Sequence, residues 1–443
     1  MAFEGVRREP LSTAPDRLPE DAWTTRRGFT PARNGLFGGN IMAATRRPGR
    51  NHLFIPGPTN IPERVLRAMH VPSEDHRSPS FPELVKPLLQ DSKMVFGSTN
   101  GTVILFPSSG TGIWESALSN TLCRGDKVLT ARYGQFSHLW VDMAQRLGLD
   151  VIVQEEEWGA GADPQKIEEA LRADKDHAIK AVMVVHNETA TGVTSDIGAV
   201  RKAIDAAGHP ALLFVDGISS IGSLPFKMDE WGVDCAIAGS QKGFMLPAGL
   251  GLICISPKAL KIAEGGTGRN DRLGHAYFAW KDQLAANATG YFPYTPVLPL
   301  LYGLREALAI VKEEGLENVY HRHHVLAEAT RQAVAAWGLK PCAKEPKWNS
   351  DTVTAIVVPE GADAAKVITH AYERYNLSLG AGLSKVAGKV FRIGHLGDLN
   401  ELSLLGAIAG AEMAMLDCGI KVTPGSGVAA ASSYLRENPL HKA

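Results

Sequence analysis

The sequence has little that would place it in a membrane, in an oxidising compartment or on a polyanion. Its longest apolar stretches, such as residues 181–185 and 250–255, are far short of the roughly 20 residues a membrane-spanning helix needs. The five cysteines, Cys123, Cys235, Cys254, Cys342 and Cys418, are odd in number and far apart. They show none of the close pairing that marks zinc ligands or redox couples, and they fit a reducing, cytoplasmic setting. The 46 basic and 47 acidic residues nearly cancel, so no global field favours nucleic acid or an anionic membrane surface. A small-molecule ligand is the better expectation. A secretory leader is not expected either, because the first 50 residues lack an apolar h-region. Glu4, Glu9, Asp16, Glu20 and Asp21 are likewise unlike an acid-poor transit peptide.

What the chain does have is length and alternation. Residues 1–50 mix Arg, Pro, Gly and acidic residues without apolar periodicity and read as a disordered tail. Met42 begins Met-Ala-Ala-Thr-Arg-Arg just before the ordered-looking sequence and is a candidate start. From about Thr102, short β-branched runs alternate with amphipathic stretches, the pattern of a parallel sheet covered by helices on both faces. Strands are expected over residues 102–106, 127–130, 150–154, 181–186, 211–216, 235–238 and 250–255. Pro164 and Asp196 mark the starts of two intervening helices. A long helical pattern over 299–314 leads to a second region. It comprises helix 316–337, strand 352–358, helix 363–374, strand 389–393 and helix 398–416. The expected organisation is therefore α/β, with a large seven-stranded, mostly parallel domain over 51–300 and a smaller C-terminal α+β domain over 301–443.

Three sites fall where parallel strands should end, the edge at which open α/β sheets bind ligands. Ser108-Ser109-Gly110-Thr111-Gly112 follows the first strand and precedes a helix expected to begin near Ile113. Small residues there admit backbone N–H groups to an anion, and the helix dipole favours negative charge. A Gly/Ser turn between strand and helix is also common without any ligand. No lysine follows in Walker A register and the GxGxxG spacing is incomplete, which disfavours a nucleotide. Asp216 concludes the apolar run Ala211-Leu-Leu-Phe-Val-Asp216, where its charge would be poorly solvated unless paired. It could equally cap the turn that follows. Lys242, in Gly239-Ser-Gln-Lys-Gly243, ends another apolar strand. Partial desolvation would lower its pKa and free a neutral amine for a Schiff base. Taken singly each feature is ordinary; together on one sheet edge they are far more specific.

These segments, with Leu53-Phe-Ile-Pro-Gly-Pro-Thr-Asn-Ile-Pro62, His186-Asn-Glu-Thr-Ala-Thr-Gly192 and Phe391-Arg-Ile-Gly-His-Leu-Gly397, resemble the class V aminotransferases. The resemblance runs from about Asn51 to the C-terminus and is closest to the serine–glyoxylate branch. It implies a fold-type I transferase that uses pyridoxal 5'-phosphate and is assembled as a homodimer. Lys242 would carry the cofactor and shuttle the Cα proton, and Asp216 would pair with the pyridine nitrogen. By the same resemblance Ser109, Gly110, Thr111 and Gln241 would hold the phosphate, and Thr189 would sit by the phenolic oxygen. Phe136 would stack on the ring, Ile218 would complete the cofactor's surroundings, and Arg392 would bind the substrate carboxylate, a task that suits a planar guanidinium. Thr295, in Tyr291-Phe-Pro-Tyr-Thr295, would serve the neighbouring subunit's phosphate. In relatives a tyrosine stands a few residues before that threonine; here Phe292 holds the register, flanked by Tyr291 and Tyr294. The implied reaction converts L-serine and glyoxylate to 3-hydroxypyruvate and glycine, with alanine or aspartate as alternative donors.

Two other features receive no role. His321-Arg-His-His324 reads as a solvated helix face rather than a metal site, and Gly265-Gly-Thr-Gly268 with Arg269 and Arg272 reads as a surface loop. A desulfurase-type lyase on the same fold would need a nucleophilic cysteine in a small-domain loop. Cys342, which follows Pro341, and Cys418, at the end of a helix, are poor candidates.

Overall fold

Seven apolar runs pair into one sheet in the computed structural model, which describes residues 49–265 and 273–441. The order across the sheet is Thr102–Ser108, Gly249–Ile255, Cys235–Gly239, Leu212–Asp216, Ile179–Val185, Lys127–Arg132, Asp150–Glu155. Only Gly249–Ile255 runs antiparallel to its neighbours. Leu212–Asp216 and Cys235–Gly239 are buried at every position, as expected of parallel strands covered on both faces. The core around this sheet includes Trp114, Trp140 and Trp280, all essentially inaccessible to solvent. The expected strands all form, and most run one or two residues longer. The long expected helices form as Leu298–Glu314 and Leu316–Ala336.

A second sheet of five strands runs in the order His52–Phe54, Leu377–Ala381, Val390–Gly394, Val353–Val357, Lys340–Pro341. It has its own apolar cluster, which includes Phe54, Trp337, Phe391 and Leu404. The first strand of the described residues thus pairs with a C-terminal strand, not with the residues that follow it. His52, Leu53 and Phe54 align parallel with Leu377, Ser378 and Leu379. Beyond this strand, Pro56 to Thr59 cross back to the large sheet's binding edge.

The tail expected over residues 1–50 lies, apart from its last two residues, outside the described residues, and so does the candidate start Met42. Residues 266–272 of the expected basic loop also lie outside them. The segment 321–324 is not the solvated face expected, since Arg322 and His323 turn inward and are buried, and its histidines diverge into separate contacts. His321 faces the Pro439 carbonyl, His323 sits between Val319 O and Gly397 N, and His324 pairs with Asp351.

Candidate active site

The cup helix begins at Gly110, three residues before the expected Ile113, because Ser109 caps it. The Ser109 hydroxyl accepts the Gly112 N–H at 3.4 Å, which fixes the first turn as Gly110–Thr111–Gly112. The first N–H groups of a helix have no partner within it, so this turn presents donors beside the end of strand Thr102–Ser108. Gly110 is required by close approach, since a Cβ there would overlap the Ile218 side chain.

Asp216 ends its strand with 4% of its surface exposed. Its Oδ1 accepts the Ile218 N–H at 2.8 Å. Burial pushes its carboxyl up to about 7; the Ile218 N–H opposes this, the nearby Glu188 carboxylate adds to it and the Lys242 ammonium opposes it. Lys242 sits in the turn after Cys235–Gly239 and is 9% exposed. Burial lowers its ammonium to about 8, the Arg392 charge acts in the same direction, and Asp216 works against both.

The crossing segment straps this lysine in place. Its ammonium donates to the Pro56 carbonyl, Thr59 Oγ1 donates to Lys242 O at 3.2 Å, and Thr59 N donates to Gln241 O at 3.2 Å. Gly57 has φ +109°, and any side chain there would overlap Lys242. Only glycine meets both demands.

A cavity of about 240 Å³ opens among these groups, lined by Gly110, Thr111, Phe136, Thr189, Asp216, Ile218, Gln241 and Lys242. It contains eight of the residues singled out in the sequence. Ser109 acts one step behind it, as the helix cap. Arg392 lies beside it, 7% exposed on Val390–Gly394 of the second sheet. Its Nη1 donates to Thr189 O and its Nε to Ala381 O, both at 2.9 Å. Burial lowers its guanidinium to about 10, opposed by the Glu188 charge. Thr295 is not brought to this cavity; it is exposed on the loop before Leu298–Glu314. Cys342 and Cys418 do not line it either.

Several residues of this site were not singled out by sequence. Trp114 lines the cavity, 1% exposed and stacked on Trp140, and its indole N–H reaches toward the Asp216 carboxylate and helps to oppose the rise of that carboxyl. Glu188 is fully buried and receives the Phe136, Ser137 and Ala190 N–H groups, so it fastens the start of helix Gln135–Arg146, which carries Phe136, to the turn that carries Thr189. Asn187 and Ser219 also line the wall. Their signal was adjacency to motif residues, which does not say what a side chain will reach.

The family model for class V aminotransferases matches residues 52–394, a span that includes every cavity-lining residue named above and Arg392. The chain belongs to the class V aminotransferases. Among curated members of that family, it is 82% identical over 402 residues to a serine–glyoxylate aminotransferase of Methylorubrum extorquens, covering 91% of this chain and 100% of that one. It is 54% identical to an L-aspartate–glyoxylate aminotransferase of Paracoccus denitrificans, covering 88% and 97% of the two chains. Among solved class V structures, a ureidoglycine–glyoxylate aminotransferase of Bacillus subtilis superposes with a TM-score of 0.80 at 27% identity, covering 89% of this chain and 100% of that one. As an aminotransferase of this class, the protein is an enzyme, with a cavity at the carboxyl edge of its parallel strands.

Proposed function

We propose that this enzyme uses pyridoxal phosphate to move the amino group of L-serine to glyoxylate, giving 3-hydroxypyruvate and glycine. The observation that carries the reading is the convergence of a desolvated lysine, a buried carboxylate and a helix N-terminus on one cavity, with a guanidinium at its side. The residues fit this cofactor on independent grounds. Gln241 Oε1 is a buried polar atom on a cavity-lining residue and has no partner, as expected of a wall built to meet a polar ligand.

When bound, pyridoxal phosphate supplies an aldehyde for the lysine amine and a ring that accepts the electron pair left by a departing Cα proton. The chain's own groups supply the rest. Lys242, lowered to about 8, has an amine that can both take and return a proton near neutral pH. Asp216 would supply the negative charge that keeps a ring nitrogen protonated. The N–H groups of Gly110 and Thr111 would hold the phosphate, Gln241 would add an amide, and Phe136 would cover one ring face. The Thr189 hydroxyl now donates to Ser219 Oγ at 2.9 Å, and a phenolate oxygen would compete for that proton. Arg392, held on two carbonyls, keeps Nη2 for a substrate carboxylate.

Thr295, exposed and away from its own chain's cavity, would reach a phosphate only in a second copy, so we infer a homodimer. Among the described residues no helix is long and apolar enough to cross a membrane, and the scattered cysteines, none of them in a disulfide, support a cytoplasmic site of action. The name of the 82% identical relative supports serine as donor, and that of the 54% identical one makes aspartate the competing choice. A donor panel against glyoxylate separates them. Glycine should form fastest with L-serine; a preference for aspartate or alanine would replace the donor but leave the aminotransferase standing.

A further inference from the structure

Asn187 lines the cavity and is 2% exposed. A carboxamide has two N–H donors and two principal acceptor positions, and here all four are engaged. Nδ2 donates to Ser219 Oγ and to Thr352 Oγ1, each at 2.9 Å. Oδ1 accepts from Ser350 Oγ at 2.6 Å and from Thr194 Oγ1 at 3.0 Å. With its capacity filled, Asn187 can act on a ligand only through these partners.

The partners belong to the two halves of the site. Ser219 follows Asp216, and its Oγ also receives the Thr189 hydroxyl. Ser350 and Thr352 lead into strand Val353–Val357, which pairs with Val390–Gly394 so that Ala355 stands opposite Arg392. The Thr352 carbonyl takes the His395 N–H at 2.9 Å, just beyond the strand that bears Arg392. Arg392 closes the circuit by donating to the Thr189 carbonyl. Asn187 is thus the side chain that bonds both the turn beside Asp216 and the entry to the substrate-side sheet.

We propose that Asn187 is a positioning residue that sets the spacing between Thr189, on the cofactor side, and Arg392, on the substrate carboxylate. The inference rests on the reading of those two residues given above. Geometry of this kind matters because a displacement of about 1 Å at a reacting centre can cost on the order of a hundredfold in rate.

The test compares wild-type holoenzyme with Asn187→Ala, Thr352→Val and the double variant. It measures KM for serine and glyoxylate, kcat, the absorption maximum of bound pyridoxal phosphate, and the melting temperature. Thr352→Val weakens the link toward Arg392, removing the bond from Asn187 Nδ2 and the 3.1 Å contact with Ser350 Oγ, and leaves the Ser219 side intact. It should raise both KM values about three- to tenfold, the weight of one hydrogen bond, with a smaller change in kcat and an unmoved absorption maximum. Asn187→Ala should raise KM at least as much and also shift the absorption maximum, because Ser219 Oγ keeps only its bond to the residue-187 carbonyl and Thr189 is held less firmly. The double variant should match Asn187→Ala instead of multiplying the two effects, since the bond to Thr352 is already gone.

A lowered melting temperature in Asn187→Ala with KM and absorption maximum unchanged would make the residue merely structural and overturn the proposal. Multiplying KM effects would do so too. Should Asn187→Ala not fold, unchanged KM in Thr352→Val overturns it and the expected rise upholds it. A wild-type protein that takes up no pyridoxal phosphate would sink the proposed function itself. An active wild type with unaltered variants sinks only this inference.

Discussion

At the scale of single residues, the binding edge holds charges that water would normally solvate, and each is tuned by the others. Asp216 is the clearest case. Burial raises its carboxyl from the ordinary 3.8 to about 7. Between those values the folded, cofactor-free protein keeps a proton that the unfolded chain has lost, so its stability falls as pH rises through that window and stays reduced above it. Asp216→Asn removes the penalty. Cofactor-free Asp216→Asn should therefore melt above cofactor-free wild type at pH 8, with the gap closing toward pH 4. Turnover should nonetheless drop sharply, because an amide cannot supply the charge that keeps a ring nitrogen protonated. Thermal scans of both apoproteins from pH 4 to 8 check the first part; a wild type that is the more stable at pH 8 would contradict it. Lys242 shows the opposite tuning, with burial and the Arg392 charge both working to free its amine.

Elements succeed or fail at holding these residues through their ends. Glu188 is one such fastening: its Oε2 receives Phe136 N at 3.1 Å and Ser137 N at 3.0 Å at the start of helix Gln135–Arg146, and its Oε1 receives Ala190 N at 3.2 Å. In Glu188→Gln one side of the group becomes an N–H donor and faces another donor. An unmet buried N–H costs about 1–3 kcal/mol, so the urea midpoint should fall and affinity for pyridoxal phosphate should weaken with it. A midpoint equal to or above wild type would mean that the cost of burying the carboxylate outweighs its bonds.

The same distinction explains what could be read in advance. The inner strands were legible because strands buried on both faces are apolar at nearly every step, the edge strand Asp150–Glu155 only by its Val-Ile-Val run, and Lys242 and Asp216 were legible because charge follows such runs. Helix ends were less so: Ser109 drew its helix back to Gly110 through a side-chain cap. The strand Leu377–Ala381 and the small-residue helix Ser426–Glu437 gave too little contrast to stand out, although Gly427, Ala431 and Leu435 do form a buried stripe. The bond between Asn187 and Thr352 spans 165 positions, and no local pattern announces it. Nor does one announce that His52–Phe54 pairs with a strand more than 300 positions later.

The whole molecule brings Arg392, on the central strand of the small sheet, beside the cavity at the carboxyl edge of the large one, and this arrangement constrains the order of the reaction. The large sheet supplies Lys242, Asp216 and the cup; the small one supplies Arg392. With one lysine and one guanidinium, donor and acceptor must use the same positions in turn. Kinetics should then be ping-pong: L-serine alone should bleach the visible absorbance of the holoenzyme and release 3-hydroxypyruvate, and glyoxylate added afterwards should restore it and release glycine. Each substrate presents a carboxylate to Arg392, so Arg392→Ala should weaken both half-reactions together. Loss of a charge-assisted hydrogen bond of about 1.5–3 kcal/mol corresponds to roughly ten- to hundredfold in each. Arg392→Lys should recover only part of this, because an ammonium keeps the charge but cannot make both carbonyl bonds and a paired carboxylate contact from one plane. Single-turnover measurements of each half-reaction check the symmetry. If Arg392→Ala impaired serine but left glyoxylate untouched, the acceptor carboxylate would have to be bound elsewhere, and the shared clamp would be wrong while the lysine and the carboxylate kept their places.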